Sequence, residues 1–218
     1  MTNCKTCEAR CIKKGFDKNG KQRFCCTGCN KYQLMSYSSY AWLPSINDSI
    51  KTLVKEGCGI RSIGRILKIA SATVVARIKA IAKEIVKPAL LHNKSYEVDE
   101  LRTFVKKKCN LSWVVSAYER ESKSVVEVAI GKRTTATLQK VTQTLLLACA
   151  SKIHTDKLGI YNVLIPQQLH STKARSINHV ERFHLNLRTH LKRLARRSIC
   201  FSKSALMLSC CLKIYLWG

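Results

Sequence analysis

The sequence predicts a multidomain protein in which a small cysteine-rich ribbon and a set of helices precede an α/β domain with a mixed sheet. Six of the twelve cysteines fall within the first 29 residues. Apolar residues recur at helical spacing between positions 46 and 85, whereas short β-branched or aromatic runs and one helical segment occupy positions 96–156. We therefore expect domains at residues 1–34, 45–90 and 95–218.

The charge of the chain points to a polyanionic partner. The sequence has 39 Lys and Arg residues against 13 Asp and Glu residues, which gives a net charge of +26. Such a chain is attracted to nucleic acid by counterion release. An anionic membrane surface would also suit this charge, but no run of about 18 apolar residues exists to span a bilayer. The first twenty residues also lack a signal-peptide core, so we expect a cytoplasmic protein.

Two Cys-x-x-Cys pairs separated by eighteen residues predict a structural zinc site. The expected ligands are Cys4, Cys7, Cys26 and Cys29. Between the pairs, Asn19 and Gly20 are typical of a hairpin tip, which completes the pattern of a zinc ribbon. Cys11 and Cys25 neighbour the pairs and remain alternative ligands. A disulfide framework is a weaker interpretation, because the chain shows no sign of export.

The helical region contains a short helix at 60–67, a three-residue turn and a longer helix that begins at Ser71 and extends to Ile85. This succession is typical of a helix-turn-helix, although an ordinary helical hairpin has the same pattern. The cations on the second helix and the neighbouring zinc ribbon favour DNA binding. The expected DNA contacts are Arg61, Arg65, Ser71, Thr73 and Arg77.

The last domain begins with three runs typical of antiparallel strands, at 96–101, 113–118 and 124–130. A helix at 134–150 then leads to a fourth strand at 152–156, which such a crossover places parallel to the first. Neighbouring first and fourth strands would bring Asp99 and Asp156 side by side.

Glu181 is the only acidic residue from position 157 to the end of the chain, where eleven Lys and Arg residues surround it in sequence. A surface ion pair is one explanation. The other is that Glu181 joins Asp99 and Asp156 in binding a pair of magnesium or manganese ions for phosphoryl transfer. Glu97 and Glu100 compete for the role of Asp99, and strand alternation places Glu97 on the face of Asp99 and Glu100 on the opposite face.

A helix that begins near Ile177 would align Glu181 with Arg188 and Lys192 along one stripe, as a track for a DNA backbone. A second stripe should pack on the sheet. It consists of Phe183, Leu187, Leu191 and Leu194. Lys173 and Arg175, in the loop before this helix, are further candidates for phosphate contacts.

Taken in order, the motifs of the C-terminal half resemble those of the insertion-sequence-one family of bacterial transposases. They include Val-Asp-Glu-Leu at 98–101, Gly-Lys-Arg at 131–133, Thr-Asp at 155–156 and Val-Glu-Arg at 180–182. Further matches lie at 103–105, 107–108, 113, 161, 164–166, 170, 173, 185–189, 191–194, 196–197 and 199–203. Arg102, Lys157 and His184 depart from the expected pattern, but none of these departures removes a carboxylate.

The resemblance implies an RNase H-like DDE catalytic domain with Asp99, Asp156 and Glu181 as its three acids. It also implies cleavage at the ends of a mobile element, strand transfer into target DNA, and a homo-oligomer that holds double-stranded element ends in the bacterial nucleoid. Two other functions fit parts of the sequence. A transcriptional regulator would use only the first 87 residues, and a structure-specific nuclease would share the acids.

Overall fold

The computed structural model describes residues 2–36, 40–41, 43–195 and 199–218. The chain forms two compact units, residues 1–43 and residues 44–218. The helices that we assigned to a domain at 45–90 therefore lie in the same unit as the mixed sheet. No helix within the described ranges is long and apolar enough to cross a membrane. Arg196 and Arg197, which belong to the family motifs, lie outside these ranges.

The first unit is a four-stranded antiparallel sheet with the order β1-β2-β3-β4. Its strands are β1 (Thr2–Asn3), β2 (Arg10–Phe16), β3 (Gln22–Cys26) and β4 (Tyr32–Leu34). The hairpin between β2 and β3 turns at Asn19 and Gly20, as the sequence predicts. The Asp17 carboxylate stabilises this turn by accepting hydrogen bonds from the backbone N–H groups of Asn19 and Lys21, each at 2.8 Å.

Three helices open the second unit: α1 (Ser45–Lys55), α2 (Ile60–Ile66) and α3 (Ser71–Glu84). Their buried faces carry apolar side chains at helical spacing, among them Ile50, Ile63 and Ile78. Residues 67–70 form the turn that joins α2 to α3. Both helices begin and end close to the positions that the sequence predicts.

The five-stranded sheet is mixed, as predicted, and has the order β7-β6-β5-β8-β9. Its strands are β5 (Ser95–Phe104), β6 (Leu111–Glu119), β7 (Ser124–Gly131), β8 (Lys152–His154) and β9 (His170–Ser171). β5, β6 and β7 are antiparallel, whereas β8 lies parallel to β5 and to β9. The predicted crossover from the first strand to a parallel fourth strand is therefore present.

Helices cover both faces of the mixed sheet. α4 (Thr135–Leu147) and α5 (Gly159–Leu164) pack over one face around Val98, Leu138 and Tyr161. α6 (Asn178–His190) and α7 (Ala205–Trp217) pack over the other face, where Leu101 and Leu187 are buried. Each face of the sheet therefore has its own apolar core.

Two predicted elements are shorter in the structure. The fourth strand ends at His154 rather than at residue 156, because it pairs with β5 only as far as Glu97. The helix that carries Glu181 ends at His190, because Leu191 adopts an extended conformation with φ −95° and ψ 91°. Lys192 consequently lies in a short 3₁₀ helix, and the predicted stripe through Glu181 does not reach it along one helix.

α7 connects the N-terminal helices to the mixed sheet. The Lys213 ammonium donates hydrogen bonds to the carbonyl oxygens of Ala82 and Ile85, at 3.0 Å and 2.9 Å, and so satisfies the C-terminal end of α3. On the sheet side, the Trp217 indole N–H donates to the Val125 carbonyl at 2.9 Å. α7 thus holds α3 and β7 in a fixed relation.

Gly57, which follows α1, is required at its position. It has φ +71°, and a Cβ atom there would lie 2.0 Å from the carbonyl oxygen of His190 at the end of α6. We expect Gly57→Ser to lower the free energy of unfolding by about 2 kcal/mol or more, through backbone strain and steric overlap. Urea denaturation followed by circular dichroism measures this effect.

Gly59→Ser is the matched control, because a Cβ at Gly59 meets no atom within 4 Å and its φ is −73°. Serine is also a favourable N-cap for α2. The free energy of unfolding of the Gly59→Ser variant should therefore differ from that of the unmodified protein by less than about 0.5 kcal/mol. Equal stability of the two variants would contradict the close approach of α1 and α6.

Candidate metal sites

Three carboxylates lie together at a notch in the mixed sheet, by which we mean the edge of β5 beyond Glu97, where β8 no longer pairs with it. Carboxylate oxygens of Asp99, Glu100 and Asp156 all lie within 4.8 Å of one another. Asp99 and Glu100 are consecutive on β5 and belong to opposite faces. They can meet because β8 stops pairing at Glu97, so that the edge of β5 beyond this point is open to Asp156. The cluster therefore depends on the early end of β8.

Glu100 is the buried member of this group. Its Oε2 atom accepts hydrogen bonds from Arg133 Nε at 3.1 Å and Nη2 at 2.8 Å, and its Oε1 atom accepts one from the Tyr161 hydroxyl. Burial and the Glu100 charge raise the pKa of Tyr161 far above its usual value, so this hydroxyl stays protonated as a donor. The Glu100 carboxylate is thus largely satisfied by protein groups.

Asp99 and Asp156 are more open. Their side chains are 19% and 34% exposed, compared with 1% for Glu100. His184 Nδ1 lies 3.2 Å from Asp99 Oδ2, and its Nε2 atom lies 3.2 Å from the Ser116 hydroxyl, so the ring orients Asp99 from α6. These two aspartates retain oxygens that could bind a divalent cation.

Glu181 does not belong to the cluster of three carboxylates formed by Asp99, Glu100 and Asp156. It lies in the first turn of α6 and is exposed to solvent. Along the helix it precedes His184 by three residues, and residues with this spacing are neighbours on a helix surface. Since His184 contacts Asp99, Glu181 lies about one turn of helix from a residue that touches the cluster.

Glu97 has a different role from that of a metal ligand. Its carboxylate is fully buried, and its Oε2 atom accepts hydrogen bonds from the backbone N–H groups of His179 and Val180, at 2.9 Å and 3.0 Å. Its Oε1 atom lies 2.6 Å from His179 Nδ1 and 3.1 Å from Arg120 Nε. Glu97 therefore binds the N-terminus of α6 to β5, where a negative charge is favoured.

The first unit holds a second candidate metal site, formed by four thiol groups. The sulfur atoms of Cys4, Cys7, Cys26 and Cys29 all lie within 4.8 Å of one another, and Cys11 and Cys25 are not in this group. Cys4 Sγ lies 3.6 Å from Cys29 Sγ, and Cys7 Sγ lies 3.3 Å from Cys26 Sγ. Tetrahedral zinc with four thiolates requires sulfur separations of about 3.8 Å. The group therefore has the composition and nearly the spacing of a zinc site.

Backbone N–H groups support the ionised form of two of these sulfurs. Hydrogen bonds from Thr6 and then Cys7 lower the pKa of Cys4 to about 6, and N–H groups of Cys29 and Gly28 help to lower the pKa of Cys26. A backbone N–H at Ala9 favours the Cys7 thiolate, but the neighbouring Cys26 and Cys29 sulfurs raise the pKa of Cys7 to about 12. Four thiolates this close repel one another unless a cation lies between them.

The predicted DNA contacts lie at the surface on several elements. Arg61, Arg65 and Ser71 are exposed on α2 and at the start of α3, and Thr73 is half-buried. Arg77 donates a hydrogen bond to the Asn47 side chain at 3.2 Å, and Arg188 approaches the Arg102 carbonyl at 3.5 Å. Lys173, Arg175 and Lys192 are exposed.

Sequence reasoning did not identify the side chains that hold the carboxylates in place. Arg133 and Tyr161 occur in the family motifs, but the sequence does not show that both bind Glu100. The contact of His184 with Asp99 was equally unforeseen. Each of these contacts joins residues that are far apart in the chain, and no local pattern reports such a pairing.

Because Glu97 is buried, its removal should be costly. We expect Glu97→Ala to lower the free energy of unfolding by about 3–5 kcal/mol, since Arg120 and the N-terminus of α6 would lose their partner. Thermal and urea denaturation measure the change. The control is Glu121→Ala, which removes an exposed ion pair with Lys94 and should cost less than about 1 kcal/mol. A similar, small loss in both variants would show that Glu97 does not anchor α6.

Two solved viral structures share a limited likeness with the chain. The simian T-cell lymphotropic virus intasome, in complex with PP2A regulatory subunit B56 gamma, has a TM-score of 0.39 and 18% identity, over 74% of this chain and 66% of that chain. The HTLV-2 integrase catalytic core domain in complex with magnesium has a TM-score of 0.35 and 18% identity, over 59% of this chain and 86% of that chain. At these TM-scores neither structure supports a conclusion about this protein.

The sequence comparisons are more decisive. The insertion element IS1 4 protein InsB of Escherichia coli (strain K12) is 38% identical over 108 residues, which span 50% of this chain but only 65% of that protein. The insertion element IS1 protein InsB of Shigella flexneri is 37% identical over 108 residues, and the match covers 82% of its length. The sequence profile described as IS1 transposase matches residues 94–216, more than half of the chain. The chain therefore belongs to the IS1 transposase family.

Proposed function

We propose that the protein is a DNA transposase that binds the ends of an insertion sequence and catalyses metal-dependent strand cleavage and strand transfer. The observation that carries this proposal is the meeting of Asp99, Asp156 and Glu100 at the notch in the sheet. Acids gathered in a chain of net charge +26 are suited to binding a cation beside a polyanion. Family membership indicates that the polyanion is DNA. The mixed sheet is consistent with an RNase H-like DDE domain.

Asp99 and Asp156 are the residues that would hold magnesium or manganese, because their carboxylates are the partly exposed ones. A pair of divalent cations held there would supply two functions: one cation would activate a water or a DNA 3′-hydroxyl, and the other would stabilise the leaving oxygen. His184 keeps Asp99 oriented, and the Leu158 backbone N–H donates to Asp156 Oδ1 at 3.0 Å. Arg133, 3.8 Å from Asp156 Oδ2, limits the repulsion between the carboxylates.

We propose Glu181 rather than Glu100 as the third catalytic acid. The oxygens of Glu100 are already engaged by Arg133 and Tyr161, so a metal ion would have to displace good partners. Glu181 is exposed and makes no ion pair within 4 Å in the described part of the chain. It is therefore free to turn toward Asp99 when DNA and metal bind. Lys173, Arg175, Arg188 and Lys192 would contact the DNA backbone around these acids.

We assign recognition of the element ends to the first unit and to helices α1–α3. In this proposal α2 and α3 form a helix-turn-helix, Ser71, Thr73 and Arg77 face the major groove, and Arg61 and Arg65 contact phosphates. Within the first unit, the four cysteines form a zinc ribbon in this proposal. The partners are double-stranded element ends and target DNA in the bacterial cytoplasm and nucleoid, and a homo-oligomer would pair two ends.

The decisive variant is Asp156→Asn. We expect it to bind labelled element ends as the unmodified protein does, and to reduce magnesium-dependent cleavage and joining at least about a hundredfold through loss of a metal ligand. The assay incubates purified protein with a labelled terminal end, target plasmid and magnesium, and separates the products on a denaturing gel. Asp99→Asn and Glu181→Gln should behave in the same way.

Glu121→Gln, an exposed change away from the cluster, should leave cleavage unaltered and serves as the control. Full cleavage by Asp156→Asn would remove the active-site assignment. Binding of ends without any cleavage by the unmodified protein would indicate a regulator. Cleavage without joining would indicate a nuclease.

The zinc content of the protein should depend on the four grouped cysteines and not on the neighbouring cysteines. We expect the unmodified protein to contain one zinc ion per chain and Cys26→Ser to contain almost none, because three thiolates bind zinc much more weakly. Cys25→Ser removes an adjacent thiol outside the group and should keep its zinc. Metal analysis after gel filtration measures the content, and loss of zinc from Cys25→Ser as well would revise the ligand set.

A further inference from the structure

Two adjoining cavities in the second unit form a groove that the proposed catalytic site does not use. One cavity, of about 420 Å³, lies between α6 and the end of β6. The other, of about 400 Å³, extends from there toward the end of α7. Tyr118, Lys123 and Phe183 line both cavities, so the two are continuous. We call this surface the aromatic groove, and Tyr215 and Trp217 complete its far end.

The aromatic rings at the near end of the groove are held in place by their surroundings. The Tyr118 and His179 rings are nearly parallel, with an interplanar angle of 4° and centroids 6.2 Å apart. Phe183 is tilted by 40° relative to Tyr118, with centroids 6.1 Å apart. The bond between His179 Nδ1 and the buried Glu97 fixes the imidazole. Such a surface loses little conformational entropy when a flat ligand stacks on it.

The remaining lining suits an anionic polymer. Lys123 and Arg182 contribute cations, whereas no carboxylate lines either cavity among the described residues. The exposed side chains of Asn178 and Asn186 each offer amide donors and acceptors. Asn178, Arg182 and Asn186 are spaced by four residues, so they follow one another along α6 at intervals of about 6 Å. Flat rings, amides and cations together match nucleobases joined by phosphates.

The groove and the carboxylates lie on different sides of α6. His184, which contacts Asp99, is six residues after Asn178, and a helix turns through about 100° per residue. This spacing directs His184 toward the sheet on a side of the helix away from the groove. A DNA strand that leaves the carboxylate site would therefore reach the groove by passing over α6.

From these observations we propose that the aromatic groove binds unpaired nucleotides of the DNA strand next to the cleavage site. Bases in a duplex stack on one another and do not expose their faces, whereas unpaired bases can stack on aromatic side chains. The proposal rests on the proposed function, because that function supplies the DNA strand. It adds that the strands separate beside the cleavage site.

The test measures binding of the full chain to a fluorescein-labelled ten-nucleotide oligothymidylate and to a duplex of equal length, by fluorescence anisotropy in 0.1 M salt. We expect Phe183→Leu to weaken oligothymidylate binding at least about fivefold, because leucine keeps the apolar packing but offers no aromatic face. Phe183→Tyr, which keeps the face, should bind as the unmodified protein does. Duplex binding should be unchanged in both variants.

Leu185→Ala provides a control on the same helix, since Leu185 is 58% exposed and outside the groove. Unchanged oligothymidylate binding by Phe183→Leu would overturn the proposal, and so would an equal loss of duplex binding. Asp156→Asn separates this proposal from the proposed function, because it should keep oligothymidylate binding. If the unmodified protein binds oligothymidylate through the groove but does not cleave DNA, the groove assignment stands and only the transposase activity is rejected.

Discussion

The arrangement of the second unit depends on one buried carboxylate. Glu97 lies on β5, is fully buried, and binds two backbone N–H groups at the start of α6 together with His179 and Arg120. A charge in such a position is stable only when it is fully hydrogen-bonded, so the contact fixes the helix against the strand. Both the approach of His184 to Asp99 and the ring of His179 in the aromatic groove follow from this placement.

The length of β8 determines where the three carboxylates can meet. A longer strand would cover the edge of β5 and would keep the carboxylates of Asp99 and Glu100 on separate faces of the sheet. Because β8 ends at His154, the open edge lets both acids approach Asp156. Arg133 and Tyr161 then make this concentration of negative charge tolerable by binding Glu100.

The contacts of α7 make the N-terminal helices part of the same compact unit as the mixed sheet. Lys213 binds the end of α3, and Gly57 after α1 lies directly against the end of α6. The residue that follows α1 therefore lies against the end of the helix that carries Glu181, whereas α3 contacts α7.

The sequence by itself determined the family and most of the elements. Cysteine spacing predicted the grouped thiols, apolar periodicity predicted α1–α3, β-branched and aromatic runs predicted the strands of the mixed sheet, and ordered motifs indicated the IS1 family, because each of these signals is local or follows chain order. It also predicted that Asp99 and Asp156 meet. Only the tertiary structure decided the use of Glu97 as an anchor for α6, the early end of β8, and the partners of Glu100, because these depend on contacts between residues that are distant in the chain.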